Sequence, residues 1–194
     1  MIIEGILTTQ NSDGSVRIAA MGAVIDDAAG QPLRRLILRP FPTTRTLANL
    51  KRTGQAVFHV TDDVELLARA ALGRIEQQPP MVAAESVAGF ILGDACRWYA
   101  LRVCRMDESG RRALVEAEVV DHGRIREFAG LNRAKHAVVE ASILATRLHL
   151  LPAQEVREAM ARLALLVEKT GGPGERAAWQ FLVDYVRRST EPSS

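Results

Sequence analysis

Between Leu38 and Leu50 the chain reads LRPFPTTRTLANL, which sets Arg39, hydroxyls at Thr43, Thr44 and Thr46, Arg45 and Asn49 before and within the first turns of a short helix. Those residue types suit a phosphate. Arginine offers a planar fork of donors, threonine adds neutral donors, and a helix amino terminus presents free N–H groups at the positive end of its dipole. The same residues also suit an ordinary structural turn, in which Thr46 caps the helix, the other threonines bond their own backbone and the arginines stay solvated. Residue types alone support both readings equally.

Other clusters point away from side-chain catalysis. Asp62-Asp63 resembles an acid pair, but Asp62 is placed to cap the following helix and Asp63 to complement its dipole. His136, Glu140 and Arg147 share one helical face at spacings of four and seven, which suits an ion-pair ladder better than a polar site. His59, His122 and His149 stand at no metal-ligand spacing, and Cys96 and Cys104 lie in apolar, strand-like surroundings as core thiols, so no structural metal is expected. The G-x-G-x-x-G, G-x-x-x-x-G-K-[ST] and G-x-S-x-G signatures are absent.

The elements that must position these groups are mostly strands. Ile3–Thr9 and Val16–Ile25 flank an Asp13-Gly14 turn signal and form a hairpin. A turn cluster over Asp26–Pro32 leads into a short strand, Leu33–Leu38, which Pro40 and Pro42 end. A helix over Leu47–Thr53 closes at Gly54, and Ala56–Thr61 returns to strand. A helix at Asp63–Leu72 carries Val64, Leu67, Ala68 and Ala71 on one face, and Gln77–Pro80 is a loop. Two more strands, Trp98–Met106 and Ala113–Asp121, meet at a Ser109-Gly110 turn, and a meander closing into a barrel removes the exposed edges of all these strands.

After Gly130 the period becomes helical. Helices are expected over Asn132–Leu150, from Pro152 to Thr170, and from Gly174 to Arg188, with a fraying polar tail over Thr190–Ser194. The reading is therefore an α+β chain with a mainly β core: residues 1–130 as the barrel domain and residues 131–190 as a helical subdomain.

With 194 residues, 47% of them hydrophobic, the chain can bury a substantial core. Its 25 basic and 23 acidic residues leave a net charge of +2, too weak a field to attract nucleic acid or an anionic membrane. The apolar start MIIEGILTT carries Glu4, lacks a basic flank and is too short to span a bilayer, so a cytoplasmic protein is expected.

The ordered set IEGILTT (3–9), AAMGAVI (19–25), LRPFPTTRTLANL (38–50), FHVTDD (58–63) and LNRAKHAVVEASILATRL (131–148) resembles a family of flavin reductase-like split barrels known only as a domain of unknown function. The resemblance covers most of the chain. It implies a six-stranded Greek-key split β-barrel with a helical appendage, a homodimer, and FMN in a groove where two subunits meet.

Position by position, the resemblance assigns phosphate and ribityl contacts to Arg39, Thr44, Thr46 and Asn49, with Thr43 beside them. Thr8, Thr9, Met21 and Gly22 become neighbours of the isoalloxazine ring. Gly22 would admit backbone close to a flat ring and Met21 could lay its thioether on it, although a small residue in a crowded barrel explains Gly22 equally well. Asn132, Arg133 and Lys135 begin the helix that resembles the family's NRAKH motif and could add a second cationic cluster near the groove or its substrate side, while Asn132 is equally suited to cap its helix.

Three functions are compatible with this. The first is a flavoenzyme passing electrons or hydride to a small molecule, in which the cofactor supplies the chemistry and no dedicated side-chain acid or base is needed. The second is a non-catalytic FMN-binding or storage module. The third is a dimeric interaction scaffold whose 39–49 segment is only a turn.

Overall fold

The computed structural model describes residues 1–25 and 33–190, so the turn expected over Asp26–Pro32 and the tail beyond Thr190 lie outside the described residues. Strands β1 (Ile2–Gln10) and β2 (Val16–Val24) pair antiparallel from Ile2↔Val24 to Gln10↔Val16. Gly14 takes φ +83 at their turn, and Asp13 accepts bonds from the Ser15 N–H and hydroxyl. Glycine is the residue that adopts this φ without a Cβ penalty, which is why Asp-Gly marks the hairpin.

The hairpin extends into a closed barrel. Strand β3 (Arg35–Leu38) adds to β2, β4 (Gln55–Val60) adds to the far side of β1, and the long pair β7 (Arg97–Asp107) and β8 (Leu114–Arg124) joins β4 to β3. The order is β1-β2-β3-β8-β7-β4, antiparallel throughout. Six strands leave an interior that side chains fill, here Leu7, Ala23, Leu36, Leu38, Phe58, Leu101 and Val115. Helix α1 (Arg45–Thr53) adds Leu47 and Leu50 to this same core. A helix reaches the inside of a closed barrel only through an end, so α1 covers one mouth.

Outside the barrel, β5 (Met81–Ala83) and β6 (Phe90–Leu92) form a two-stranded sheet that the sequence did not announce. It is held by groups of the barrel itself. The Thr8 hydroxyl donates to the Phe90 carbonyl at 2.6 Å, and the Leu92 N–H donates to His59 Nε2 at 3.1 Å. A second small core of Val57, Val87, Ile91 and Ala100 lies there.

The chain divides into two compact units: Met1–Thr61 with Gln77–Phe128, and Asp62–Glu76 with the chain from Ala129 onward. Helix α2 (Val64–Ala71) is thus a member of the helical unit, contributed from within the segment read as barrel. It packs Val64 and Ala68 against α3 (Arg133–Thr146) and α5 (Pro173–Thr190), and together with α4 (Ala153–Thr170) these helices enclose a core of Ala134, Ala137, Val138, Val156, Ala178 and Leu182. Alanines on α3 allow close helix approach, which is how a small unit buries its apolar stripes. No helix among the described residues is long and apolar enough to cross a membrane.

Two expectations at this level need correcting. Asp63, not Asp62, caps α2, accepting the Leu66 N–H at 2.9 Å, while Asp62 accepts the Ala129 N–H. Cys96 is buried, but Cys104 is exposed: Val103 points into the barrel and the next strand residue must point out.

Candidate functional site

Arg39 follows β3 directly, is exposed, and makes no hydrogen bond or ion pair among the described residues. The chain then turns over Phe41–Thr44, where the Thr44 N–H and hydroxyl both donate to the Phe41 carbonyl, at 3.1 and 2.8 Å. Thr44 has extended backbone and its Oγ1 accepts the Leu47 N–H at 3.3 Å, so Thr44 is the N-cap of α1. This corrects the assignment of that role to Thr46. Removing the cap with Thr44→Ala should cost about 1 kcal/mol of unfolding free energy in a urea titration, the usual value for a threonine cap.

Relieved of capping, Thr46 is free for something else. It is only 3% exposed, and its hydroxyl has no partner among the described residues. The first-turn N–H groups of Arg45 and Thr46 also lack acceptors there, as helix geometry dictates. No acid occupies this turn, whereas Arg45 and Arg39 are both exposed cations. The Asp13 carboxyl is held below the usual carboxylate range chiefly by its Ser15 bonds, with Arg45 a minor contributor. The Thr43 side chain is exposed. An anion with several acceptor oxygens is the group that such a set of unused donors would satisfy.

One helical turn on, Asn49 is buried and donates both amide hydrogens, to Thr9 Oγ1 at 3.0 Å and Asn11 Oδ1 at 2.8 Å. Across the hairpin from Thr9 stands Arg17, whose Nε is buried without an acceptor. A buried donor left unmatched is costly, so this position also invites an acceptor from solvent or a bound group. Arg17 was not singled out from the sequence. The signal was available only through register: a hairpin pairing Gln10 with Val16 pairs Thr9 with Arg17 and puts both on one face.

The remaining positions are placed differently. Thr8, adjacent to Thr9, faces the opposite side and is spent on the Phe90 carbonyl. Met21 packs against the barrel interior, so its thioether is engaged with the core. Gly22 lies on the outer face, where a Cβ would come within 3.0 Å of Ile2 Cγ2 and 3.3 Å of a Glu4 carboxylate oxygen. Asn132 and Lys135 belong to the helical unit. Asn132 caps α3 and donates to the Thr170 carbonyl at 3.0 Å, and Lys135 Nζ bonds Glu175 at 2.7 Å and the Asp62 carbonyl at 2.6 Å. The Lys135 bond, helped by the Gly172 N–H, holds the Glu175 carboxyl below its usual range against the opposing effect of burial.

His136, Glu140 and Arg147 are exposed, and no ion pair joins them among the described residues. Nor do three His, Cys, Asp or Glu side chains gather there into a metal-binding group.

A family model described as the N-terminal domain of a protein of unknown function, DUF447, matches residues 3–126, and a second DUF447 model matches residues 132–184. The chain belongs to the DUF447 family. The fold is shared with an FMN-bound DUF447 protein from Methanosarcina mazei at TM-score 0.79 and 22% identity, covering 95% of this chain and 94% of that one. Two more distant likenesses are an FMN-binding protein from Thermus thermophilus with bound 1-cyclohex-2-enone and the styrene monooxygenase flavin reductase from Pseudomonas putida S12. The first has TM-score 0.53 and 14% identity over 63% of this chain and 70% of its own. The second has TM-score 0.51 and 15% identity over 65% and 82%. Among curated proteins no match is found. At these identities the likeness establishes the fold of this DUF447 protein, the six-stranded barrel common to flavin-binding split-barrel proteins.

Proposed function

We propose that this protein binds FMN and uses it as an oxidoreductase on a small molecule, working as a homodimer with the cofactor at the subunit interface. The observation that carries the binding claim is the cradle at the start of α1: an unpaired arginine, the hydroxyl of the mostly buried Thr46 with no protein partner among the described residues, and free helix N–H groups, with no acid in the turn. That donor set fits a phosphate monoester. The fold shared with an FMN-bound protein and with a flavin reductase supports FMN as the molecule carrying it.

When bound, FMN supplies the hydride and electron chemistry. The protein's part is to hold it. Arg39 would grip the phosphate, with the hydroxyls of Thr43 and Thr46 and the first-turn N–H groups of α1 completing its donors, while Thr44, whose own donors are spent on the Phe41 carbonyl, caps the helix and Asn49 and Thr9 fix it onto the barrel mouth. The outer face of β1–β2, where Gly22 removes a side chain between exposed Ile2 and the Glu4 carboxylate, would offer backbone surface to a flat ring and a second subunit.

Purified protein should be yellow, or should quench added FMN. Replacing Arg39 by alanine should weaken FMN by roughly 1.5 to 3 kcal/mol, the worth of a charge-assisted bond, measured by fluorescence titration. Unchanged affinity would remove Arg39 from the site. Anaerobic NADH or NADPH should bleach the flavin band rapidly in a reductase, and sedimentation should report a dimer. A bound flavin that neither nucleotide reduces would favour the storage role.

A further inference from the structure

Phe41 lies in sequence between Arg39 and Thr43, its side chain contributes none of the cradle's donors, and the residue is 46% exposed. Its backbone is fixed, since its carbonyl takes both donors of Thr44. One face of the ring is covered: the guanidinium carbon of Arg112 lies 4.1 Å from the ring centroid. Arg112 is itself held in place, because the next residue, Ala113, donates to the Pro40 carbonyl at 3.0 Å and ties the β7–β8 turn to this segment. The acids of that turn are occupied elsewhere. Asp107 accepts the Ser109 N–H, and Glu108 pairs with Lys51 at 2.7 Å. Arg39, Arg45 and Arg111 are exposed cations on the same two segments, and Arg112 lies over one face of the half-exposed Phe41 ring.

A ring of this kind beside a phosphate cradle suits a purine carried on a phosphate. Bases stack on aromatic faces irrespective of hydrogen-bond readout, and a guanidinium on the opposite face strengthens the platform while attracting phosphate charge. We propose that Phe41 and Arg112 form a platform for the adenine of an adenosine diphosphate group, delivered either as the outer half of FAD or as part of a separate nicotinamide dinucleotide. This rests on the flavin reading of the cradle and extends it by one subsite.

The test uses the full chain stripped of flavin. FMN and FAD are titrated by flavin fluorescence, and ADP is titrated calorimetrically into the FMN-loaded protein, for wild type, Phe41→Ala and Phe41→Trp. Phe41→Ala should raise the Kd of FAD about tenfold with that of FMN unchanged if the adenine arrives on the flavin, or raise the Kd of ADP about tenfold if it arrives separately. Phe41→Trp should restore the affinity in either case. Equal weakening of FMN and FAD would put Phe41 under the flavin ring instead, and no change in FAD or ADP would mean the ring has another occupant; either result overturns the platform. So does a variant that alters only the sedimentation coefficient, because the ring would then meet a second copy of the chain. FMN affinity of the wild type judges the flavin reading by itself, and Phe41-dependent ADP binding without FMN binding would leave the platform standing alone.

Discussion

Replacing His59 by leucine should cost about 3 kcal/mol of stability and abolish an acid-sensitive step in the unfolding of the barrel unit. His59 is fully buried in β4 and joins three strands. Its Nδ1 lies 3.2 Å from the Ile6 carbonyl of β1, and its Nε2 receives the Leu92 N–H of β6. These partners assign the tautomer: a carbonyl can only accept, so Nδ1 carries the proton, and Nε2 must present its lone pair. Leucine matches the bulk but strands a buried carbonyl and a buried N–H, each worth about 1 to 3 kcal/mol when unmatched.

Burial pushes the imidazole pKa down to about 4, partly opposed by the Ile6 carbonyl, and protonation would set an Nε2–H against the Leu92 N–H. Above the unfolded value of 6.5 neither state holds the extra proton and stability is flat. As pH falls from there, the unfolded chain takes up a proton that the folded chain refuses, so stability drops by up to about 1.4 kcal/mol per unit, levelling near the folded pKa after a loss of roughly 3 kcal/mol. Urea midpoints between pH 7 and pH 4 should show this slope in wild type and lose it in His59→Leu. An equal slope in both would place the acid sensitivity in other groups.

The β5–β6 sheet that His59 anchors explains what the sequence could not announce. Three-residue strands carry no readable alternation, and their pairing depends on Thr8 and His59, distant in sequence. The long strands were legible because β1, β2, β7 and β8 are runs of nine or more residues rich in apolar and β-branched types, bounded by Asp-Gly and Ser-Gly turns. Helix α2 was legible as an element, yet an amphipathic stripe does not say which surface it meets, and its membership in the helical unit emerges only from packing against α3 and α5.

The same holds for the candidate site. The segment 38–50 could be read as donors near a helix start, but its three threonines are chemically alike there. The Phe41 carbonyl selects Thr44 as the cap, and that choice releases Thr46. Neighbours in a strand face opposite ways, which separates Thr8 from Thr9 and Met21 from Gly22, and this separation becomes visible only once register and inside are known.

The sharpest test of the cradle is Arg45→Glu, for which binding and stability should move in opposite directions. Arg45 is the first residue of α1, exposed, in a turn without an acid. Glutamate there complements the helix dipole and should add about 0.3 to 1 kcal/mol to helix stability. Lost attraction to exposed Asp13 subtracts little, because pairs in open solvent are weak. For a phosphate at the same helix end, the substitution replaces an attractive charge by a repulsive one a few ångströms away. At a surface dielectric this amounts to on the order of 3 kcal/mol, or about a hundredfold in Kd. Arg45→Gln should fall between the two, and 0.5 M salt should shrink the deficit because screening acts on exposed charges. Calorimetric titration of FMN at two salt concentrations, beside urea unfolding of the same samples, separates the cases: general damage lowers both affinity and stability, whereas a phosphate at the start of α1 lowers affinity alone. FMN bound by Arg45→Glu as tightly as by wild type would place the phosphate elsewhere on the barrel.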